Sequence, residues 1–89
     1  MGHEYRLDLR SGSPDEWARV MRNTLDIDVI PGRLFDIGQR HAEGMPDAYV
    51  KVETDHVYFC VNGGSGARLL AHVERSLDLS FGIASREEL

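Results

Sequence analysis

Polar and apolar residues alternate strictly at the start of the chain. Tyr5, Leu7 and Leu9 are interleaved with Glu4, Arg6, Asp8 and Arg10, the period of two that marks a strand with one buried and one charged face. Ser11-Gly12-Ser13-Pro14 breaks the pattern. Ser13 suits a helix N-cap and Pro14 the first helical position, where its missing N–H would be unpaired anyway. Asp15 and Glu16 complement the dipole of the first turn. Trp17, Val20, Met21, Thr24 and Leu25 then recur at helical spacing, which predicts a helix over residues 14–25 with one apolar stripe.

Residues 26–47 carry no clean period and are expected to be an irregular acidic insertion. Ile27, Val29 and Ile30 suggest a short strand, and Pro31-Gly32 a turn. Leu34, Phe35 and Ile37 fit either a second strand or a helical turn packed under a sheet edge. Asp26, Asp28, Asp36, Glu43 and Asp47 outnumber Arg33 and Arg40 here, and a segment of this length is often functional.

The second half is regular again. Val50, Val52 and Thr54 share one strand face, Tyr49, Lys51 and Glu53 the other; Val57, Phe59 and Val61 repeat the pattern against Tyr58, Cys60 and Asn62. A two-residue turn at Asp55-His56 would pair Thr54 with Val57 and Val52 with Phe59, and would set Lys51 opposite Cys60. Asn62-Gly63-Gly64-Ser65-Gly66 ends this strand, and Leu69, Leu70, Val73 and Leu77 mark a second helix. Leu79, Phe81 and Ile83 alternate with polar or small residues and predict a last strand. Residues 85–89 are polar and are expected to fray.

Two amphipathic helices on one face of a mostly antiparallel sheet satisfy every stripe at once. The predicted fold is an α+β two-layer sandwich in ferredoxin-like βαββαβ order, with an insertion after the first helix. At 89 residues the chain is expected to form a single domain (1–89) with a thin core. Its 42% hydrophobic and 28% charged residues are ordinary for a globular protein and argue against disorder.

The formal net charge of −5 and the single Lys make nucleic acid an unfavourable partner. Cys60 has no second cysteine to bond, which excludes an intramolecular disulfide and a cysteine-rich metal knuckle. A lone cysteine, no leader-like pattern and no long apolar run predict a cytoplasmic protein without membrane contact.

Candidate chemistry is sparse. Gly63, Gly64, Ser65 and Gly66 lead into a helix, with Arg68 in its first turn. Backbone N–H groups at a helix start form an anion site, although the spacing matches neither the dinucleotide fingerprint nor a phosphate loop. The competing role is a tight turn in which Ser65 caps the helix. Cys60 would need a lowered pKa and a base to act as nucleophile. His56 lies about 13 Å away along a strand that rises about 3.3 Å per residue. His41-Ala42-Glu43 has the His-x-Glu spacing of zinc deaminases but lacks their cysteine pair. No histidines fall at helical zinc spacing, so neither a metal nor another cofactor is expected.

Tyr49, Lys51, Tyr58 and Cys60 occupy the sheet face turned from the helices. Such a mixed aromatic and polar face suits a protein partner. These residues, with Asp36 and Glu43 of the acidic segment, form the expected interface. The function predicted is a non-enzymatic interaction or regulatory module that binds a partner or a second copy of itself. The alternative is a sensor of a small anion or nucleotide at the glycine loop.

Overall fold

A computed structural model describes residues 2–40 and 44–89 of the chain. The elements run β1 (His3–Leu9), α1 (Pro14–Leu25), β2 (Leu34–Arg40), β3 (Pro46–Val52), β4 (Val57–Val61), α2 (Gly66–Phe81) and β5 (Ile83–Glu88). The strands form one open antiparallel sheet in the order β2-β3-β4-β1-β5. The class is the predicted α+β. The predicted βαββαβ order is not matched, because residues 34–40 form a strand of their own and the chain order becomes βαβββαβ.

Helix α1 starts and stops where its end signals lie. The Ser13 hydroxyl accepts a bond from the Glu16 N–H, and Asp26 closes the helix in the left-handed region at φ 56°, donating its N–H to the Arg22 carbonyl. The stretch Ile27-Asp28-Val29-Ile30 is not the strand suggested by its apolar residues. Val29 is fully buried, and Arg22 Nη1 donates to its carbonyl at 2.8 Å.

Both helices turn their stripes to one side of the sheet. Trp17, Ala18 and Met21 of α1 and Leu70, Val73 and Leu77 of α2 share a single core with Leu7, Ile37, Ala48, Val50, Val52, Val57 and Phe59. The strand members are cross-strand neighbours of like orientation, as in Leu7↔Val57, Val50↔Phe59 and Ile37↔Ala48.

Two expectations fail at the end of the chain. Helix α2 continues through Phe81 before Gly82 ends it at φ 76°, so Leu79 and Phe81 are helical. Residues 85–88 are not frayed: they belong to β5 and pair with β1, Ser85 with Asp8 and Glu88 with Tyr5. Arg86 stacks 4.6 Å over the Tyr5 ring and reaches Glu74 of α2 at 3.1 Å. The two turns of this end are tied together. Arg10 N–H donates to the Gly82 carbonyl, the Ser11 hydroxyl to the Phe81 carbonyl, and the Trp17 indole N–H to the Ser11 carbonyl. Gly12, at φ 89°, has no room for a side chain between Phe81 and Trp17.

The β3–β4 connection is also longer than predicted. Val52 pairs with Val57 and Val50 with Phe59, and the Glu53 N–H donates to the His56 carbonyl across residues 53–56. The register is displaced by two residues, so every side chain keeps its face. Lys51 stands opposite Tyr58, and Cys60 opposite Tyr49.

Candidate functional site

The glycine loop is built around Asp47. This carboxylate is 3% exposed, although ionised side chains are buried only where polar groups meet them. Its Oδ2 accepts from the Gln39 N–H at 3.0 Å and from the Ser65 hydroxyl at 2.7 Å. Its backbone carbonyl accepts from the Asn62 N–H at 2.9 Å and the Gly63 N–H at 3.3 Å. The Asn62 side-chain amide donates to the Pro46 carbonyl. Two glycines make room for this knot. A Cβ on Gly38 would lie 2.5 Å from the Asp47 side chain, and one on Gly66 would lie 2.5 Å from the Asp47 carbonyl oxygen. Gly38 also adopts φ 80° where the β2–β3 register shifts, a bulge conformation that glycine takes without strain.

The loop therefore differs from the expected helix cap. Ser65 makes no side-chain bond to α2, because its hydroxyl serves Asp47. Gly64 and Arg68 are exposed, and Arg68 makes no ion pair among the described residues. Gly63, Gly64, Ser65, Gly66 and Arg68 thus follow one another at the start of α2, with the Asp47 side chain bonded to Ser65 and its carbonyl against Gly66.

The second candidate is the sheet face turned from the helices. Its outward side chains form two rows across the strands. One runs Asp36, Tyr49, Cys60, Glu4; the other runs Leu34, Lys51, Tyr58, Arg6, Glu87. Four predicted interface residues (Tyr49, Lys51, Tyr58 and Cys60) and Asp36 thus lie together. Glu43 and His41 fall outside the described residues. Among the described residues no element covers this face.

Most polar groups on the face are already engaged. The Tyr58 hydroxyl donates to Glu4 Oε1 at 2.6 Å. Arg6 grips Asp8 through Nε and Nη2 at 3.0–3.1 Å and touches Asp55 at 3.5 Å. The Ser85 hydroxyl donates to Asp8, and Lys51 pairs with Glu53 at 3.4 Å. His56 Nδ1 sits 2.6 Å from Asp55 Oδ1 in the hairpin loop. Half-exposed pairs of this kind orient side chains more than they stabilise the fold.

The surroundings of Cys60 work against ionisation of its thiol. It is 7% exposed, and its thiol donates to Asn62 Oδ1 at 3.4 Å. Burial pushes its pKa up, the Glu4 charge adds to this, and the Tyr58 hydroxyl only partly opposes it. The expected neighbour Lys51, which would have favoured a thiolate, is instead drawn to Glu53. Burial, followed by the bond to Glu4, also holds the Tyr58 hydroxyl well above its usual range. Among the described residues no cluster of His, Cys, Asp or Glu suits a metal ion.

Sequence reasoning missed Asp47 as an organising residue, and missed Glu4 as the partner of Tyr58. The one available signal was Gly38, since a lone glycine inside a strand pattern marks a bulge or a close approach.

Compared with family models, with curated proteins and with solved structures, the chain finds no match in any of the three.

Proposed function

We propose that this domain is a non-enzymatic interaction module that docks a protein partner on the uncovered face of its sheet. The carrying observation is that both helices lie on one side, while Tyr49 and Tyr58 stand half-buried on the other with no helix or strand over them among the described residues. Tyrosine offers a large contact area at small entropic cost. Asp36 extends this face toward the β2 edge, so a part of the acidic segment joins it. The anion-sensor alternative draws less support, because Ser65 of that loop already donates its hydroxyl to the Asp47 carboxyl group. We also read β2 as an addition at the sheet edge, since the other four strands keep the split order β3-β4-β1-β5.

The test is affinity capture from source lysate with three forms of the domain. These are the natural chain, a Tyr49→Ser/Tyr58→Ser variant, and a His72→Ala/Arg75→Ala variant altered on the exposed side of α2. A partner retained by the first and third but lost by the second supports docking on the sheet. A partner captured equally by all three, or none captured by any, overturns it.

A further inference from the structure

The sequence has two asparagines, Asn23 and Asn62, and of these Asn62 alone is followed by glycine. Such a pair can rearrange without an enzyme. The Gly63 backbone nitrogen loses its proton and attacks Asn62 Cγ, the bond from Cγ to Nδ2 breaks, and ammonia leaves. Water then opens the cyclic imide to aspartate or isoaspartate. Glycine favours the attack because it has no side chain to shield its nitrogen or restrict its backbone. Asn23 sits inside α1 before the β-branched Thr24 and makes an internal reference.

The folded loop holds both reacting groups away from this course. Asn62 Nδ2 donates to the Pro46 carbonyl at 3.0 Å, and Asn62 Oδ1 accepts from the Cys60 thiol at 3.4 Å. The Gly63 N–H is turned to the Asp47 carbonyl at 3.3 Å, and the Gly63 carbonyl is taken by the Gly66 N–H at 2.8 Å. Bringing Cγ to the Gly63 nitrogen means giving up the bonds to Pro46 and Cys60 and turning the peptide. The Ser65–Asp47 bond at 2.7 Å ties the loop to the strand that carries both carbonyl acceptors. Closed and reactive loops are therefore exclusive states, and the reaction proceeds through local opening.

We infer that Asn62-Gly63 is a latent self-modification site, kept intact by the knot around Asp47 and converted to aspartate or isoaspartate when the glycine loop opens. Conversion runs one way. It exchanges the amide that donates to the Pro46 carbonyl for a carboxylate that has no proton to give. Isoaspartate also lengthens the backbone by a carbon between two N–H groups that share the Asp47 carbonyl. A loop that has reacted no longer recloses in its original form.

The test incubates the full chain in mildly alkaline buffer and follows it by peptide mass mapping, which reads the exchange of –NH2 for –OH and separates aspartate from isoaspartate. Three samples are compared: the natural chain, the natural chain unfolded in guanidinium chloride, and Ser65→Ala. Circular dichroism checks the fold, hydrogen exchange of the Gly63 amide measures loop opening, and Asn23 is the reference within each digest. Conversion at Asn62 should be at least about tenfold slower in the folded than in the unfolded natural chain. It should be about fivefold faster in Ser65→Ala than in the natural chain, the effect on opening of losing a hydrogen bond of ordinary strength. Should Ser65→Ala not fold, low guanidinium concentrations that leave the natural chain folded take its place, and conversion must rise in step with Gly63 exchange. Conversion as fast in the folded chain as in the unfolded one overturns the protection. No conversion in the unfolded chain overturns the reactivity, and faster Gly63 exchange without faster conversion overturns the link between them.

Discussion

Asp47 joins three parts of the fold that are distant in sequence. It holds the β2 bulge through Gln39, the start of α2 through Ser65, and the glycine loop through its own carbonyl. Asp47→Ala leaves the part-buried Gln39 N–H and Ser65 hydroxyl without their acceptor, and unpaired groups shielded from water cost about 1–3 kcal/mol each. A loss of about 2–4 kcal/mol in urea unfolding is expected on that basis, with protection of the Gln39 amide from hydrogen exchange lost in the same variant. Unchanged stability would remove Asp47 from this role. In the sequence, Asp47 is one acid among five in the least regular segment. Its contacts lie eight and eighteen residues away, so no local pattern marks it. Cys60 was ambiguous for a related reason: its burial depends on neighbouring strands, not on its own segment.

The elements were legible where the local signals were unopposed. Ser13, Pro14 and the stripe from Trp17 onward place both ends of α1 where they are found. The hairpin register was not legible, because a shift of two residues keeps every face and the pattern cannot tell the alternatives apart. β2 was obscured by Leu34, which stays 55% exposed on the outer face, and by Gly38. β5 was misplaced because Phe81 continues the α2 stripe from Leu77 while also alternating with Ile83. The polar tail Ser85-Arg86-Glu87-Glu88 gives no apolar face, yet it pairs fully as a charged edge strand. Arg86 is the main link from that edge to the helix layer. Burial raises the pKa of Glu74, and Arg86 opposes the rise. Arg86→Ala is therefore expected to destabilise by about 1–2 kcal/mol near pH 7, through the lost stack on Tyr5 and the unpaired carboxylate. Near pH 4, close to the ordinary carboxylate range, Glu74 is protonated and that part of the loss should shrink. Thermal unfolding of both forms at the two pH values measures it, and an equal gap at both would contradict the coupling.

Across the whole molecule, the titrating groups of the uncovered face bound the pH range of stability. The Arg6 hydrogen bond lowers the Asp8 pKa, and His56 lowers that of Asp55. Their stabilising contribution is present above the ordinary carboxylate range and is lost as pH falls through the lowered values. Cys60 and Tyr58 are raised, so theirs is present below the ordinary thiol and phenol ranges and is lost as pH rises beyond them. The melting temperature should form a plateau that falls on both sides, and Tyr58→Phe should flatten the alkaline side. A profile still level above pH of about 10, where a free tyrosine ionises, would show that these groups are not coupled to folding. The two layers also differ in what they report. Trp17 is the only tryptophan and is 5% exposed, clasped at the end where the β1–α1 turn meets the last turn of α2. Because it belongs to the helix layer, its emission is expected to follow the closing of the core. The molecule thus carries an optical probe of its own folding that a partner docked as proposed on the opposite face would leave undisturbed.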